Sequence, residues 1–286
     1  MALGQNLAFG AMTREETNTL FDWAAAEGWN PGHHDADSGW HCDPAAFVAL
    51  RRGEELLGGG SIMTLDPRFG FMGLFIMRPD QRGQGLGHKL WHHRLQLLRS
   101  RLAQGATIAM EGVYDMVPFY AKGGFVYAHR TLRYEGLASG GADAAAVPLQ
   151  SIPFAALDAL DQACSPAPRS ALLRAWVGQP GHIGLALAEQ GEPVACGVAR
   201  PALKGYKLGP VHARTPELAE RLLAALLDRL QGQFVQIDIP EPNTAGVAWA
   251  ERQGFSQSFG CARMYHGPAP ALPLERIFGV MSLEFG

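Results

Sequence analysis

The chain has 286 residues, of which 47% are hydrophobic and 18% charged, with a formal net charge of −3; it is long enough for two globular domains with substantial cores. The weak negative charge and the lack of a basic run argue against nucleic acid or a membrane surface as partner, and no apolar run reaches the ~18 residues of a membrane helix. Four scattered cysteines (Cys42, Cys164, Cys196, Cys261) and a start without a charged-then-apolar signal pattern lead us to expect reduced thiols in a cytoplasmic protein.

Residues 14–28 read as a helix, with Leu20, Trp23, Ala24 and Glu27 at helical spacing and Gly28 as its stop. A polar, Gly- and Pro-containing stretch over 29–44 reads as a loop. Phe47–Leu50 and Leu56–Leu65 read as strands joined at Arg51–Glu55. The triplet Gly58-Gly59-Gly60 has no helix after it, so it marks a strand needing close backbone approach rather than a phosphate turn. An apolar run, Phe71–Met77, leads into Arg78-Pro79-Asp80-Gln81-Arg82-Gly83-Gln84-Gly85-Leu86-Gly87. A helix over 88–102 follows, with Trp91, Leu95, Leu98 and Leu102 on one core-facing side. Thr107–Glu111 is the next strand, 113–123 a short helix, and Phe125–Tyr134 a further strand.

The Gly-rich turn is the most informative segment. A strand running through a tight turn into a helix start presents backbone N–H groups without intrahelical partners, at the positive end of the helix dipole. Gly83, Gly85 and Gly87 remove side chains that would hold a pyrophosphate away. The spacing fits neither the dinucleotide fingerprint nor the P-loop. It resembles the R-x-x-G-x-G signature of the GNAT superfamily of N-acetyltransferases, with Arg82, Gly85 and Gly87 on the three signature positions and Pro79 ahead of them.

That resemblance implies a mixed α/β sheet, partly splayed apart, with helices on both faces and acetyl-CoA in the splay. It implies that Arg82, Gly83, Gln84, Gly85, Leu86, Gly87 and His88 cradle the pyrophosphate, and that backbone at Phe75, Ile76 and Met77 meets the pantetheine arm. Tyr120 stands four residues before Gly124-Phe125, where many members carry the tyrosine that protonates the departing sulfur. A phenol of pKa about 10 is still protonated at neutral pH, as such a donor must be. The strand before the turn carries no carboxylate. Glu111, at the end of the following strand, is the nearest base for the acceptor amine or caps the next helix instead; Asp115 is the runner-up.

For the acceptor, the loop after the first helix is the expected wall. Trp29, His33, Asp35 and Asp37 would bind an amine or an apolar cation there. The same loop holds His34, His41 and Cys42, but without the paired spacing of zinc ligands, and His88 with His92 lacks a third partner. We therefore expect no metal.

The chain also repeats itself. Gly124-Phe125 and Arg133 recur as Gly254-Phe255 and Arg263, an offset of 130 that places the phosphate turn on His212-Ala213-Arg214-Thr215-Pro216-Glu217. There the glycines are gone, Pro216 removes a donor, Thr215 caps the helix and Glu217 repels phosphate. The tyrosine position becomes Ala250, and Glu241 falls on Glu111; Asp238, Glu241 and Asn243 line a second pocket or cap the helix that Asn243 introduces. We expect two tandem GNAT-like domains, 1–137 and 151–286, joined by a Gly/Ala/Ser-rich linker at 138–150, with only the first binding acetyl-CoA.

The expected activity is acetyl transfer to the primary amine of a small molecule, by a monomer or homodimer. The rival is a non-catalytic acyl-CoA-binding sensor or scaffold.

Overall fold

The computed structural model describes residues 7–286; the first six residues of the expected unit 1–137 lie outside the described ones. The first half runs β1 (Leu7–Ala11), α1 (Arg14–Ala26), α2 (Asp35–Cys42), β2 (Phe47–Arg52), β3 (Glu55–Asp66), β4 (Phe69–Met77), α3 (Leu86–Arg101), β5 (Thr107–Val113), α4 (Val117–Lys122) and β6 (Val126–Leu137). The second runs β7 (Ala146–Pro148), α5 (Phe154–Gln162), α6 (Ser170–Val177), β8 (Ile183–Glu189), β9 (Glu192–Pro201), β10 (Tyr206–Ala213), α7 (Pro216–Asp228), β11 (Phe234–Pro240), α8 (Thr244–Arg252), β12 (Ser256–His266) and β13 (Ile277–Gly279). No helix among the described residues is long and apolar enough to cross a membrane.

All strands join one mixed sheet in the order β1-β2-β3-β4-β5-β12-β6-β11-β10-β9-β8-β7, with β13 on β10. The halves exchange their last long strands. β12 pairs with β5 of the first half, while β6 pairs with β11 of the second. Each exchanged strand is thereby paired on both sides and the two meet at the centre, which leaves no open edge there. Strand position also makes Asp238, not Glu241, the counterpart of Glu111: each stands fifth in its strand, β11 and β5. Arg263 lies opposite Glu111, and Arg133 opposite Asp238.

The stretch 29–44 is not all loop: it contains α2. Asp35 and Asp37 suit the first turn of a helix, and Gly39 lets it approach so closely that a Cβ there would be 2.6 Å from Phe285 and 2.9 Å from Phe47. That tertiary support is absent from any local pattern. The glycine triplet does serve close approach. Gly58 admits Met77, Gly59 admits Met12, and Gly60 admits the buried Arg94, whose Cζ would be 2.3 Å from an added Cβ.

In the second half, Thr215 accepts a bond from the Leu218 N–H and Pro216 opens α7, so that helix end is satisfied by protein. β10 pairs with β11 only over Tyr206–Leu208. Beyond that, β13 lies along β10, and the Val280 N–H donates to the Asp238 carbonyl. Protein strand occupies the gap that stands open in the first half.

Candidate active site

In the first half, β4 pairs with β5 only from Phe69–Met72 against Thr107–Met110. Past Met72 the strands diverge around a cavity of about 290 Å³. The β3–β4 register slips there, Gly59 facing Ile76 but Ser61 facing Gly73, and Leu74 takes a positive φ of 50°. Phe75, Ile76 and Met77 line the cavity beyond this bulge.

At the end of β4 the chain turns into the 16-residue helix α3. Gly83 and Gly85 both have φ of 74°, a conformation open to glycine, and an added Cβ would meet nothing within 4 Å at either. They are required by backbone conformation and leave free space above the turn. Gly85 is the N-cap and offers no side-chain bond, so the first-turn N–H groups of Leu86, Gly87 and His88 are not capped by protein. Arg82 folds back over the rim, its Nε donating to the Met77 carbonyl at 2.9 Å and its guanidinium paired with Glu27. Gln84 and His88 stand exposed on the turn, His88 Nε2 at 3.0 Å from His92 Nε2. Of the sequence-predicted cradle, Arg82 lines the cavity, while Gly83 to His88 follow it in the chain outside the cavity lining.

Tyr120 and Glu111 both line the cavity. The Tyr120 ring fills the space that Gly112 leaves, stacked against Trp91 with centroids 6.4 Å apart. Burial pushes its hydroxyl up to about 12. The Glu111 side chain is fully buried. Its Oε1 accepts from Arg263 Nε at 2.8 Å and from the Thr131 hydroxyl at 2.9 Å, while Oε2 is enclosed with no partner. Burial pushes this carboxyl above its ordinary value, and Arg263 pulls only part of the way back. A carboxylate with one oxygen anchored and the other free is suited to accept a proton. Asp115 is exposed and faces a neighbouring surface groove instead.

Of the residues expected at the acceptor wall, only Trp29 lines the cavity. Asp35 is fully buried and holds Arg200 Nε at 2.9 Å and the Gly32 N–H at 2.8 Å. Asp37 pairs with Arg14 and with His34 Nδ1, and His33 is exposed, its N–H bonded to the Pro201 carbonyl. These groups fasten α2 and its approach to the body of the protein and do not reach the reacting space. Asp238 and Glu241 are likewise held, by Arg133 and Arg130, and the Asn243 carbonyl oxygen caps α8 at 2.9 Å from the Gly246 nitrogen.

Sequence reasoning missed Glu27, Arg94, Phe259, Cys261, Leu283 and Glu284, all of which line the cavity. Four of these six come from the second half. Arg94 carried a signal, since it interrupts the apolar face of α3 between Trp91 and Leu98. It is 1% exposed, and its Nη2 donates to the Ser61 and Gly73 carbonyls, each at 2.5 Å. Among the described residues no cluster of three or more His, Cys, Asp or Glu side chains is placed to hold a metal.

A mixed sheet built from two halves of the same plan, the first splayed open with an uncapped glycine turn at its mouth, defines the class as an acyltransferase fold. Family comparison agrees: residues 13–125 match the model described as "Acetyltransferase (GNAT) family" and residues 157–279 that described as "Acetyltransferase (GNAT) domain". The chain belongs to the GNAT superfamily as a tandem protein, and it is an acyltransferase. It is similar to the holothin acyltransferase of Pseudoalteromonas sp. (strain SANK 73390), 26% identical over 276 residues, 95% of this chain and 92% of that protein. Among solved structures, a Pyrococcus horikoshii protein described as an acetyltransferase superposes with a TM-score of 0.84 at 20% identity, over 100% of this chain and 98% of its own. A tandem GNAT protein from the clavulanic acid biosynthesis pathway superposes at 0.65 and 16% identity, over 93% and 100%. These structural likenesses concern the fold alone.

Proposed function

We propose that this enzyme transfers an acetyl group from acetyl-CoA to the primary amine of a small molecule, at the cavity of the first half. One observation carries the reading: Glu111, with one carboxylate oxygen free, and Tyr120 line the same cavity as Met77 and Arg82, the residues that lead into the uncapped glycine turn. The residues fit the cosubstrate. Gly83 to His88 would hold the pyrophosphate at the helix N-terminus, with Arg82 fixing the rim, and the β4 backbone over Phe75 to Met77 would run beside the pantetheine.

Acetyl-CoA supplies an activated thioester and a good leaving group. The chain's own residues do the rest. Glu111 Oε2 takes a proton from the acceptor nitrogen, leaving it neutral and nucleophilic. Tyr120, still protonated far above neutral pH, holds a proton at its hydroxyl for the departing sulfur. The apolar walls formed by Met72, Leu74, Trp91 and Met110 limit the water that would hydrolyse the thioester. The relative that acts on holothin is in keeping with a small-molecule acceptor. In this reading the chain divides into units 1–137 and 151–286 around a 138–150 linker, whose later part forms β7 and pairs with β8 of the second unit, and the second unit binds no acetyl-CoA of its own.

Calorimetric titration of acetyl-CoA into the wild type and Gly85→Glu tests it. The substitution forces a side chain into a left-handed conformation and adds a carboxylate at the helix N-terminus. One site per chain, lost in the variant, is expected. Two sites would mean that α7 also binds the cosubstrate, and none would sink the proposal.

A further inference from the structure

The reacting cavity is closed by the last described residues of the chain. The Glu284 carbonyl lies so close to β4 that a Cβ on Gly73 would be 2.0 Å from it, while the Glu284 N–H donates to Ser282 Oγ at 3.1 Å. Next to it, Phe285 is packed among Phe21, Phe47 and Trp176. The position of Glu284 is therefore set on both sides. Its residue surface is 3% exposed, and it lines the same cavity as Glu111 and Tyr120.

The other charged groups of the cavity each have at least one protein partner: Glu27 has Arg82, Glu111 has Arg263 on one oxygen, and Arg94 has two backbone carbonyls on Nη2, its Nε and Nη1 being enclosed without a partner. The Glu284 carboxylate makes no hydrogen bond to any described residue, and its Oε2 is enclosed without a partner. The buried cations Lys207 and Arg133 act on this carboxylate only through space; a buried carboxylate without hydrogen bonds is costly, and a cation brought by a ligand would relieve that cost. The adjoining walls, Trp29, Met116, Phe259 and Leu283, are mainly apolar.

We infer that Glu284 is the recognition residue for the acceptor: it receives the cationic primary amine of a compact, apolar-bodied molecule and holds its nitrogen near Glu111. This rests on the acyl-transfer reading above and divides the work between two carboxylates. Glu284 binds the ammonium, and the free Glu111 oxygen takes its proton. The competing account makes Glu284 a fixed counter-charge for Lys207, whose Nζ is buried without a hydrogen-bond partner, 3.8 Å from Asp238 Oδ2.

The test uses the full chain with 2-phenylethylamine and its neutral analogue 2-phenylethanol, read through the fluorescence of Trp29 and Trp91 in the cavity wall. Acetyl-CoA is titrated first; its failure to bind would overturn the parent reading and this one with it. The wild type should prefer the amine to the alcohol by about tenfold or more. Glu284→Gln should erase that preference and raise KM for the amine, with the acetyl-CoA Kd unchanged. Glu111→Gln should keep amine binding within about threefold and lose kcat. A wild type that binds acetyl-CoA but shows no preference for the amine overturns the inference alone. So does a Glu284→Gln protein that keeps the preference, whatever its thermal stability. Should Glu284→Gln fail to fold, Glu284→Asp retains the charge for Lys207 but withdraws the carboxylate by one methylene. Weakened amine binding then supports the role, and unchanged binding refutes it.

Discussion

Replacing Gly112 with alanine adds one methyl group and aims it at the Tyr120 ring. The new Cβ would stand 2.6 Å from Cε2 and 2.8 Å from Cδ2. Ordinary carbon contacts are about 3.5–4.0 Å, so the ring must recede by roughly 1 Å. Behind it are Trp91 and Phe119, with ring centroids 6.4 and 5.6 Å away. Gly112 lies within β5 and does not have positive φ, so alanine adds no backbone strain of its own. The expected cost in stability is about 1–3 kcal/mol, as for other overpacked cores. A displacement of that size at a group that must meet the leaving sulfur should slow kcat about 100-fold, or about 2.7 kcal/mol of activation free energy. Thiol release from acetyl-CoA measures kcat, and calorimetry checks that the acetyl-CoA Kd stays within about twofold. Tyr120→Phe sets the ceiling, a loss of about 10²–10⁴. If the glycine acts through the tyrosine, adding Gly112→Ala to Tyr120→Phe should slow the enzyme little further. A full 100-fold loss on the Tyr120→Phe background would refute the reasoning, as would a Gly112→Ala enzyme as fast as wild type.

Because Glu111 must be ionised to accept a proton, kcat/KM should rise with pH along a limb above the ordinary carboxyl value of 4.5. Arg263→Leu removes the cation that holds this carboxyl down, so the limb should move to higher pH; a shift to lower pH would deny Glu111 the role. Tyr120, at about 12, should give no falling limb in the working range. Arg200→Ala should cost about 3–5 kcal/mol in denaturant unfolding, because it leaves Asp35 buried and unpaired. Burial pushes Asp35 up, but Arg200, Lys207 and the Gly32 N–H together pull it below its usual 3.8. Its stabilising contribution is therefore present above that value and lost as pH falls through the lowered one. Asp35→Asn should leave the amine KM unchanged, and a rise would return Asp35 to the acceptor site. Gly60→Ala, by pressing on Arg94, should destabilise by about 1–3 kcal/mol in the same unfolding assay.

The parts legible in the sequence were those whose chemistry is local. Gly83 and Gly85 announce a positive-φ turn into a helix with no side-chain cap, and Thr215 and Pro216 announce a capped helix start as plainly. The offset between Arg133 and Arg263 also disclosed the tandem fold. What stayed hidden depends on partners far along the chain. α2 exists because Gly39 meets Phe47 and Phe285, and nothing in 35–42 announces that contact. Asp35 and Asp37 looked like ligand-binding carboxylates because a sequence cannot show Arg200 and Arg14 waiting for them. Glu284 did leave a trace, as the one charge in the run Val280-Met281-Ser282-Leu283-Glu284-Phe285. Its meaning required knowing that this run lies on Gly73.

The strand exchange gives two equivalent ion pairs different uses. Arg263 of β12 faces Glu111 of β5, and Arg133 of β6 faces Asp238 of β11, so each pair joins the two halves across the same sheet position. In the second half, both Asp238 oxygens accept from Arg133, from Nε at 2.7 Å and from Nη2 at 2.9 Å. Burial pushes Asp238 up, but Arg133 and Lys207 outweigh it, leaving a carboxylate that gives up its proton readily and has little capacity to take one. In the first half, Arg263 reaches only Oε1 of Glu111, and burial wins, leaving Oε2 free and the group more basic. The longer side chain and the single-oxygen grip are what suit Glu111 to the proton-accepting role proposed for it, where Asp238 is held as a structural clamp. In the proposed mechanism the cation that tunes Glu111 comes from β12, and Glu284 follows β13, so the first half's chemistry would depend on residues carried by the second. On that proposal the second half, with a capped helix start and Ala250 where the first has Tyr120, would still be required for turnover.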